Sequence, residues 1–207
     1  MWKTFATGVI LIIATTFPAV AQNCHLGVQA GTSIGTAAIS LPSVPANIDG
    51  LGLRSRSPDV GLAAGCDLRV SGSPFVVGAF ADYTWRDTQF SAGLGPFNFS
   101  AAMQNRWTVG ARVGYVTAAG MSYALLGYTN TDVAYSTPIV GMPTSLHGWT
   151  TGGGIEIPMA PNVSFAVETR YTRYADADLF SGFATLRTDE VSAMARLNFV
   201  FGANVLK

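Results

Sequence analysis

The residues of this chain that could do chemistry are few and poorly grouped. It has two histidines, His25 and His147, and two cysteines, Cys24 and Cys66. His147 stands two positions after Ser145, a nucleophile and base of the kind a lipid hydrolase would use. Such a pair works only when a third group orients the base and donors wait for the oxyanion. No carboxylate has the spacing to orient His147, and no glycine-rich oxyanion motif adjoins it. The pair therefore reads as the polar end of a loop. Asp176 and Asp178 could offer carboxylates to a divalent cation or bridge lipopolysaccharide, but a calcium site wants six or more oxygens. P-loop, dinucleotide and zinc spacings are missing from the sequence. On these residues no catalytic, cofactor-binding or metal-binding role is expected.

What the chain has in quantity is apolar surface. Of its 207 residues, 49% are hydrophobic and 12% charged, against about 25% charged in a typical soluble domain. So much apolar area excludes a disordered chain. Twelve basic and twelve acidic residues cancel, which leaves no field to attract phosphate backbones, and no nucleic-acid partner is expected. A helical span needs roughly 20 consecutive apolar residues, and none follows Pro18. Residues 1–21 carry Lys3, the apolar stretch from Gly8 to Ala14, and Ala19-Val20-Ala21 before the expected cut. That is the layout of a secretory signal peptide. It leaves residues 22–207 as one exported domain, with its cysteines in an oxidising compartment.

The elements that must place these residues have a period of two. From Pro58 to Ser71, Val60, Leu62, Ala64, Cys66, Leu68 and Val70 alternate with Asp59, Gly61, Ala63, Gly65, Asp67 and Arg69. Strict alternation of this kind predicts a half-buried strand. The pattern returns over Phe75–Arg86, Met103–Tyr115, Val163–Thr172 and Glu190–Phe201. Adding Cys24–Gly35, Met121–Tyr135 and Gly148–Met159 gives eight strands, with the parity of Met121–Tyr135 left open. Short connections (Ser71–Pro74, Thr117–Gly120, Pro158–Asn162) alternate with long ones (Thr36–Ser57, Asp87–Ser100, Ser136–His147, Ala175–Arg187). The expected fold is all-β, a closed eight-stranded antiparallel up-and-down transmembrane β-barrel, with short turns in the periplasm and long loops outside.

Aromatic residues decide which face meets lipid, because Trp and Tyr favour the membrane boundaries. Phe75, Tyr83, Trp85, Trp107, Tyr115, Trp149, Tyr171, Phe199 and Phe201 all fall on the apolar parity near strand ends, with small and aliphatic residues between. They form the expected aromatic girdle. From Phe75 to Trp85, ten steps at a tilt near 45° cover roughly 23 Å, close to the ~25 Å apolar band of such barrels. The opposite face collects Asp67, Arg69, Asp82, Arg86, Arg106, Arg112, Glu156, Glu168, Arg170, Glu190 and Arg196 among many glycines. Charges turned into a narrow interior must pair, so a lumenal carboxylate–guanidinium network is expected. An eight-stranded barrel is only just wide enough for its side chains, which favours a plugged lumen over a diffusive channel.

Cys24 and Cys66 share the apolar parity toward the inner ends of neighbouring strands. Two readings stand, a cross-strand disulfide or two inert thiols. Phe90, Phe97, Phe99, Phe180 and Phe183 lie in the long connections and either meet a partner or pack the loops over the barrel mouth.

The stretches Trp107–Tyr115, Gly148–Glu156 and Asn162–Tyr171 resemble the small outer-membrane β-barrel proteins of alphaproteobacteria, surface antigens often labelled "porin family". The resemblance runs strongest from Trp107 to Phe201. It implies an outer-membrane location in a Gram-negative envelope and a surface or envelope-integrity role, with no catalytic residues to carry over. It also implies recognition by the barrel-assembly machinery through the aromatic pattern Leu197-x-Phe199-x-Phe201, although Gly202–Lys207 follow it here. The expectation is a non-enzymatic monomer without cofactor, with outer-membrane lipid and lipopolysaccharide as its partners and at most weak channel activity. A lipid-modifying barrel enzyme and a soluble exported ligand-binding barrel are the alternatives.

Overall fold

Alternating side chains and turn residues close this chain on itself. In the computed structural model, the described residues are 22–40, 53–94, 97–135, 145–179 and 184–202. The expected signal peptide, residues 1–21, lies outside them, as do Phe180 and Phe183 and the side chains of Phe90, Phe97 and Phe99. Ten strands form: β1 (Gln22–Ser40), β2 (Leu53–Arg69), β3 (Phe75–Trp85), β4 (Thr88–Leu94), β5 (Phe97–Thr117), β6 (Gly120–Tyr135), β7 (Ser145–Ala160), β8 (Val163–Tyr174), β9 (Ala177–Leu179) and β10 (Ala184–Gly202). Eight of them, β1, β2, β3, β5, β6, β7, β8 and β10, pair in that order, all antiparallel. The last returns to the first, from Asn23 opposite Gly202 to Ser40 opposite Thr185. No edge is left in the wall, so every strand finds its ladder partner.

The inner connections are tight. Between β2 and β3, Ser73 donates its amide to the Val70 carbonyl (3.0 Å), and Gly72 takes φ +70°, a conformation that side chains with a Cβ resist. Thr117 pairs with Gly120 across the two-residue link from β5 to β6. Pro161 and Asn162 alone join β7 to β8.

The outer ends differ from expectation in extent. Asp87–Ser100 and Ala175–Arg187 were expected as loops, yet β4 pairs with the outer half of β5 and β9 with the start of β10. The cause is the unequal length of the strands. β3 ends at Trp85, where β5 runs on outward and still has backbone groups to satisfy. After a break at Arg86 and Asp87 the chain resumes as β4 and supplies them.

The wall exposes its apolar parity outward. Val60, Leu62, Val77, Val109, Val113, Leu126, Ile155, Val167, Val191 and Leu197 all face away from the interior. A soluble ligand-binding barrel would show the reverse. β6, ambiguous in sequence, turns Tyr123 and Leu125 inward and Leu126 and Tyr128 outward. One expected parity fails. Met103 was placed on the outward face with Trp107, but a register shift between Met103 and Arg106 moves it into the interior. A bulge adds one residue to the strand and so flips every side chain beyond it.

Cys24 and Cys66 lie directly opposite each other on β1 and β2, and a disulfide joins them across 42 residues of sequence. Replacing both by serine is expected to lower stability by about 2–4 kcal/mol. The measurement is the urea midpoint in detergent micelles, with the folded circular dichroism spectrum unchanged.

Candidate functional site

Placing acids and arginines on inward parity of a narrow barrel forces them into contact, and the lumen holds them in three tiers. In the outer tier Glu190 of β10 takes both Arg86, at the end of β3, and Arg106 of β5. Arg86 also donates to Thr131 (3.2 Å) and to the Tyr174 hydroxyl (3.0 Å). Asp59 stands 3.9 Å from Arg106 and accepts from Ser33 at 3.1 Å. The middle tier centres on Arg170, which bonds Asp82 (2.7 Å) and Glu168. Glu168 also accepts from the Tyr123 hydroxyl (2.7 Å) and lies 3.5 Å from Arg196. In the inner tier Arg112 reaches both oxygens of Asp67 and, at 3.1 Å, Glu156. Asn198 and Ser164 complete the Glu156 carboxylate, and His25 sits 3.9 Å from Asp67.

These tiers leave little open space. Arg106, Arg112, Arg170 and Arg196 are each less than 5% exposed. Arg112 lies over the Tyr123 ring (5.0 Å) and Arg170 over Phe80 (5.2 Å), contacts that pack guanidinium faces as well as their edges. Glycines make room for this. A Cβ at Gly78 would stand 2.0 Å from the Asp67 carboxylate.

The lumen is not polar throughout. Val76, Phe80, Val116, Met121, Tyr123 and Leu125 form an apolar cluster toward the inner end of β3, β5 and β6. Ala37, Met103, Val133, Leu146 and Tyr174 form another near the outer mouth, with Ala177 and Leu186 packed against it. The inner tier shares its height with the first cluster, Arg112 standing opposite Leu125 and Glu156 opposite Met121.

Of the eleven residues expected in the lumenal network, Asp67, Asp82, Arg86, Arg106, Arg112, Glu156, Glu168, Arg170, Glu190 and Arg196 come together. Arg69 lies half-buried near the end of β2 and donates to the Ser73 carbonyl at 3.3 Å, since at a strand end the turn is within its reach. Asp59, Tyr123 and Tyr174 belong to the network and were not assigned to it. Asp59 already showed the inward parity of β2, whereas Tyr123 lay on the ambiguous strand and Tyr174 beyond the expected end of β8. Outside, the girdle residues pair as rings: Phe75 with Tyr115, Tyr83 with Trp85, Trp107 with Tyr128, Trp149 with Tyr171, and Phe199 with Phe201.

Ser145 and His147 both face outward on β7. No hydrogen bond joins them among the described residues, and the His147 ring stacks against Tyr128 (6.4 Å). Asp176 is spent on Arg173 at 3.1 Å.

The profile of the outer membrane protein beta-barrel domain family matches residues 7–199, and the chain belongs to that family. It is an outer-membrane protein. The 25 kDa outer-membrane immunogenic protein of Brucella canis is 27% identical over 121 residues, 53% of this chain and 57% of that protein. The 22 kDa outer membrane protein of Rhizobium leguminosarum bv. viciae is 28% identical over 135 residues, 59% of this chain and 64% of that one. The matches thus span less than two thirds of either relative's length. Among solved structures, the outer membrane protein OprG from Pseudomonas aeruginosa aligns over 88% of this chain and 97% of its own, at 13% identity and a TM-score of 0.46.

Glu190 bonds both Arg86 and Arg106, with Asp59 the only other carboxylate near them among the described residues, so Glu190→Gln leaves buried charge undercompensated. The expected loss is about 3–5 kcal/mol in equilibrium unfolding from micelles. Asp132→Asn, on the exposed face of β6, should stay within about 0.5 kcal/mol.

Proposed function

We propose that the protein is a non-enzymatic structural barrel that supports the envelope and presents its outer connections to the surroundings, with no continuous water path through it. The observation carrying this reading is the filled lumen. Three tiers of paired charge and two apolar clusters occupy the interior, and eight strands enclose little more than their own side chains, which supports a lumen closed to hydrated solutes. No catalytic constellation supports an enzymatic reading, since among the described residues no hydrogen bond joins Ser145 to His147, whose ring stacks on Tyr128.

In this reading residues 1–21 direct export. The Leu197-x-Phe199-x-Phe201 end of β10 is the segment the barrel-assembly machinery would engage, and the aromatic rings at each end set the depth in lipid. The chain works as a monomer among outer-membrane lipid and lipopolysaccharide. Its short turns face the periplasm and its long connections face outward.

Planar-bilayer recording tests the closed lumen. The wild-type protein is expected to give no stepped current. Removing the outer clamp with Arg86→Ala, Arg106→Ala and Glu190→Ala together deletes two cations and one anion and should open measurable conductance. Stepped currents from the wild type would mark it as a diffusive pore.

A further inference from the structure

The ten arginines of the chain divide by position. Five are in the lumenal tiers and Arg69 holds the β2–β3 turn. The remaining four, Arg54, Arg56, Arg173 and Arg187, all lie on the outward face near the outer ends of β2, β8 and β10. These strands, with β1 between β2 and β10, form one continuous half of the eight-stranded wall. Register puts the four side by side. Arg54 is opposite Thr36, Thr36 opposite Asp189, Asp189 opposite Arg173, and Arg187 opposite Ala38. One step inward, Arg56 is opposite Ile34, Ile34 opposite Val191, and Val191 opposite Tyr171.

Arg54, Arg56 and Arg187 stand where the girdle is broken. On β3, β5, β6, β7 and β8 the outer boundary carries Trp85, Trp107, Tyr128, Trp149 and Tyr171. Among the described residues, β10, β1 and β2 present no aromatic ring there; Val191, Ile34 and Pro58 take the place instead. Among the described side chains, the outward carboxylates on this side of the wall, Asp189 and Asp176, are both bonded to Arg173. Arg56 donates to Thr32 (3.1 Å), and Arg54, Arg56 and Arg187 have no carboxylate partner among the described residues. Unpaired guanidiniums at a membrane boundary meet phosphate at the right depth to bond it.

A second feature lies on the same strands, deeper in the hydrocarbon zone. Val28 and Ala30 of β1, Val60 of β2, Phe165 of β8, and Ala195 and Leu197 of β10 line a shallow groove of about 330 Å³. The alanines are the smallest side chains that line it. Ala30 is six residues from Thr36, about 20 Å along the strand and, at a 45° tilt, about 14 Å along the membrane normal. That is the reach of a fatty-acyl chain below its headgroup.

We propose that this side of the wall is a binding site for one outer-leaflet glycolipid, its sugar phosphates held by Arg54, Arg56 and Arg187 and one acyl chain lying in the groove over Ala30 and Ala195. The site gives the lipopolysaccharide contact of the preceding section a single fixed position, and rests on that section's outward orientation. Nothing in it is catalytic. The guanidiniums supply charge-assisted hydrogen bonds to phosphate oxygens, and the missing aromatic rings give the disaccharide room to sit against the backbone.

The test uses the full folded protein in mixed micelles with hexa-acylated bisphosphorylated lipid A, bound lipid being read by native mass spectrometry. The wild type should retain one lipid A, and dephosphorylated lipid A at least ~10-fold less; this comparison needs no variant. R54Q/R56Q/R187Q should lose affinity for the phosphorylated form by a similar factor while keeping its heat-modifiable gel mobility. Ala195→Phe should weaken binding of the acylated lipid and leave any binding of the soluble phosphorylated disaccharide unchanged. Equal retention of phosphorylated and dephosphorylated lipid A, or equal competition by phosphatidylglycerol or a soluble sulfated glycan, overturns the proposal. Orientation is read separately with a membrane-impermeant maleimide on intact cells. Asp87→Cys at the outer rim should label and Ala119→Cys at an inner turn should not. The reverse pattern overturns the outer-leaflet assignment without touching the micelle result.

Discussion

A backbone inside hydrocarbon has no water to bond, so every amide and carbonyl must find a partner within the protein. In this chain that requirement is met by one act, the return of β10 to β1 over eighteen paired positions. Everything else is arranged around it. Closure fixes the lumen at a width that side chains can fill, and filling it from inward-facing positions leaves the outward ones to lipid. The extra strands β4 and β9 follow from the same demand, because they bond the parts of β5 and β10 that outrun their neighbours.

Most of this architecture is legible because a period of two is a strong signal. It assigns Val60, Asp67, Trp85, Arg112 and Glu190 to their faces without reference to any neighbour. The signal weakens where both faces are apolar. Tyr123, Leu125 and Leu126 carry no parity in sequence because the lumen beside β6 is lined with an apolar cluster, which an alternation rule cannot anticipate. It fails outright at Met103, since a bulge leaves no trace in residue type. Arg69 shows a different limit. Parity gives the direction of a side chain but not its height, and at a strand end a turn carbonyl comes within reach.

The lumen illustrates how charge can be used to specify an interior. Five arginines and six carboxylates, counting Asp59, are held in separate tiers, and each arginine meets carboxylates contributed by other strands. An apolar filling of equal volume would pack as well and would tolerate sliding of one strand past another. Fixed pairs across the barrel do not. Arg86 to Glu190 and Arg170 to Asp82 each span residues 104 and 88 apart in sequence, so the network ties the early strands to the late ones at defined heights.

The disulfide between Cys24 and Cys66 acts on a different part of the wall. It joins β1 to β2 and leaves the seam between β1 and β10 held only by hydrogen bonds. β1 has little with which to fix its own alignment, because Gly27, Gly31 and Gly35 offer no side chains to interlock with a neighbour. A slip of one residue would turn Leu26, Val28 and Ala30 into the lumen and Asn23, His25 and Gln29 into lipid. The covalent link removes that alternative for the first hairpin before the eighth strand arrives. The growing sheet would then inherit its alignment from a single oxidation made at its starting edge, while the closing edge stays free to open and re-form.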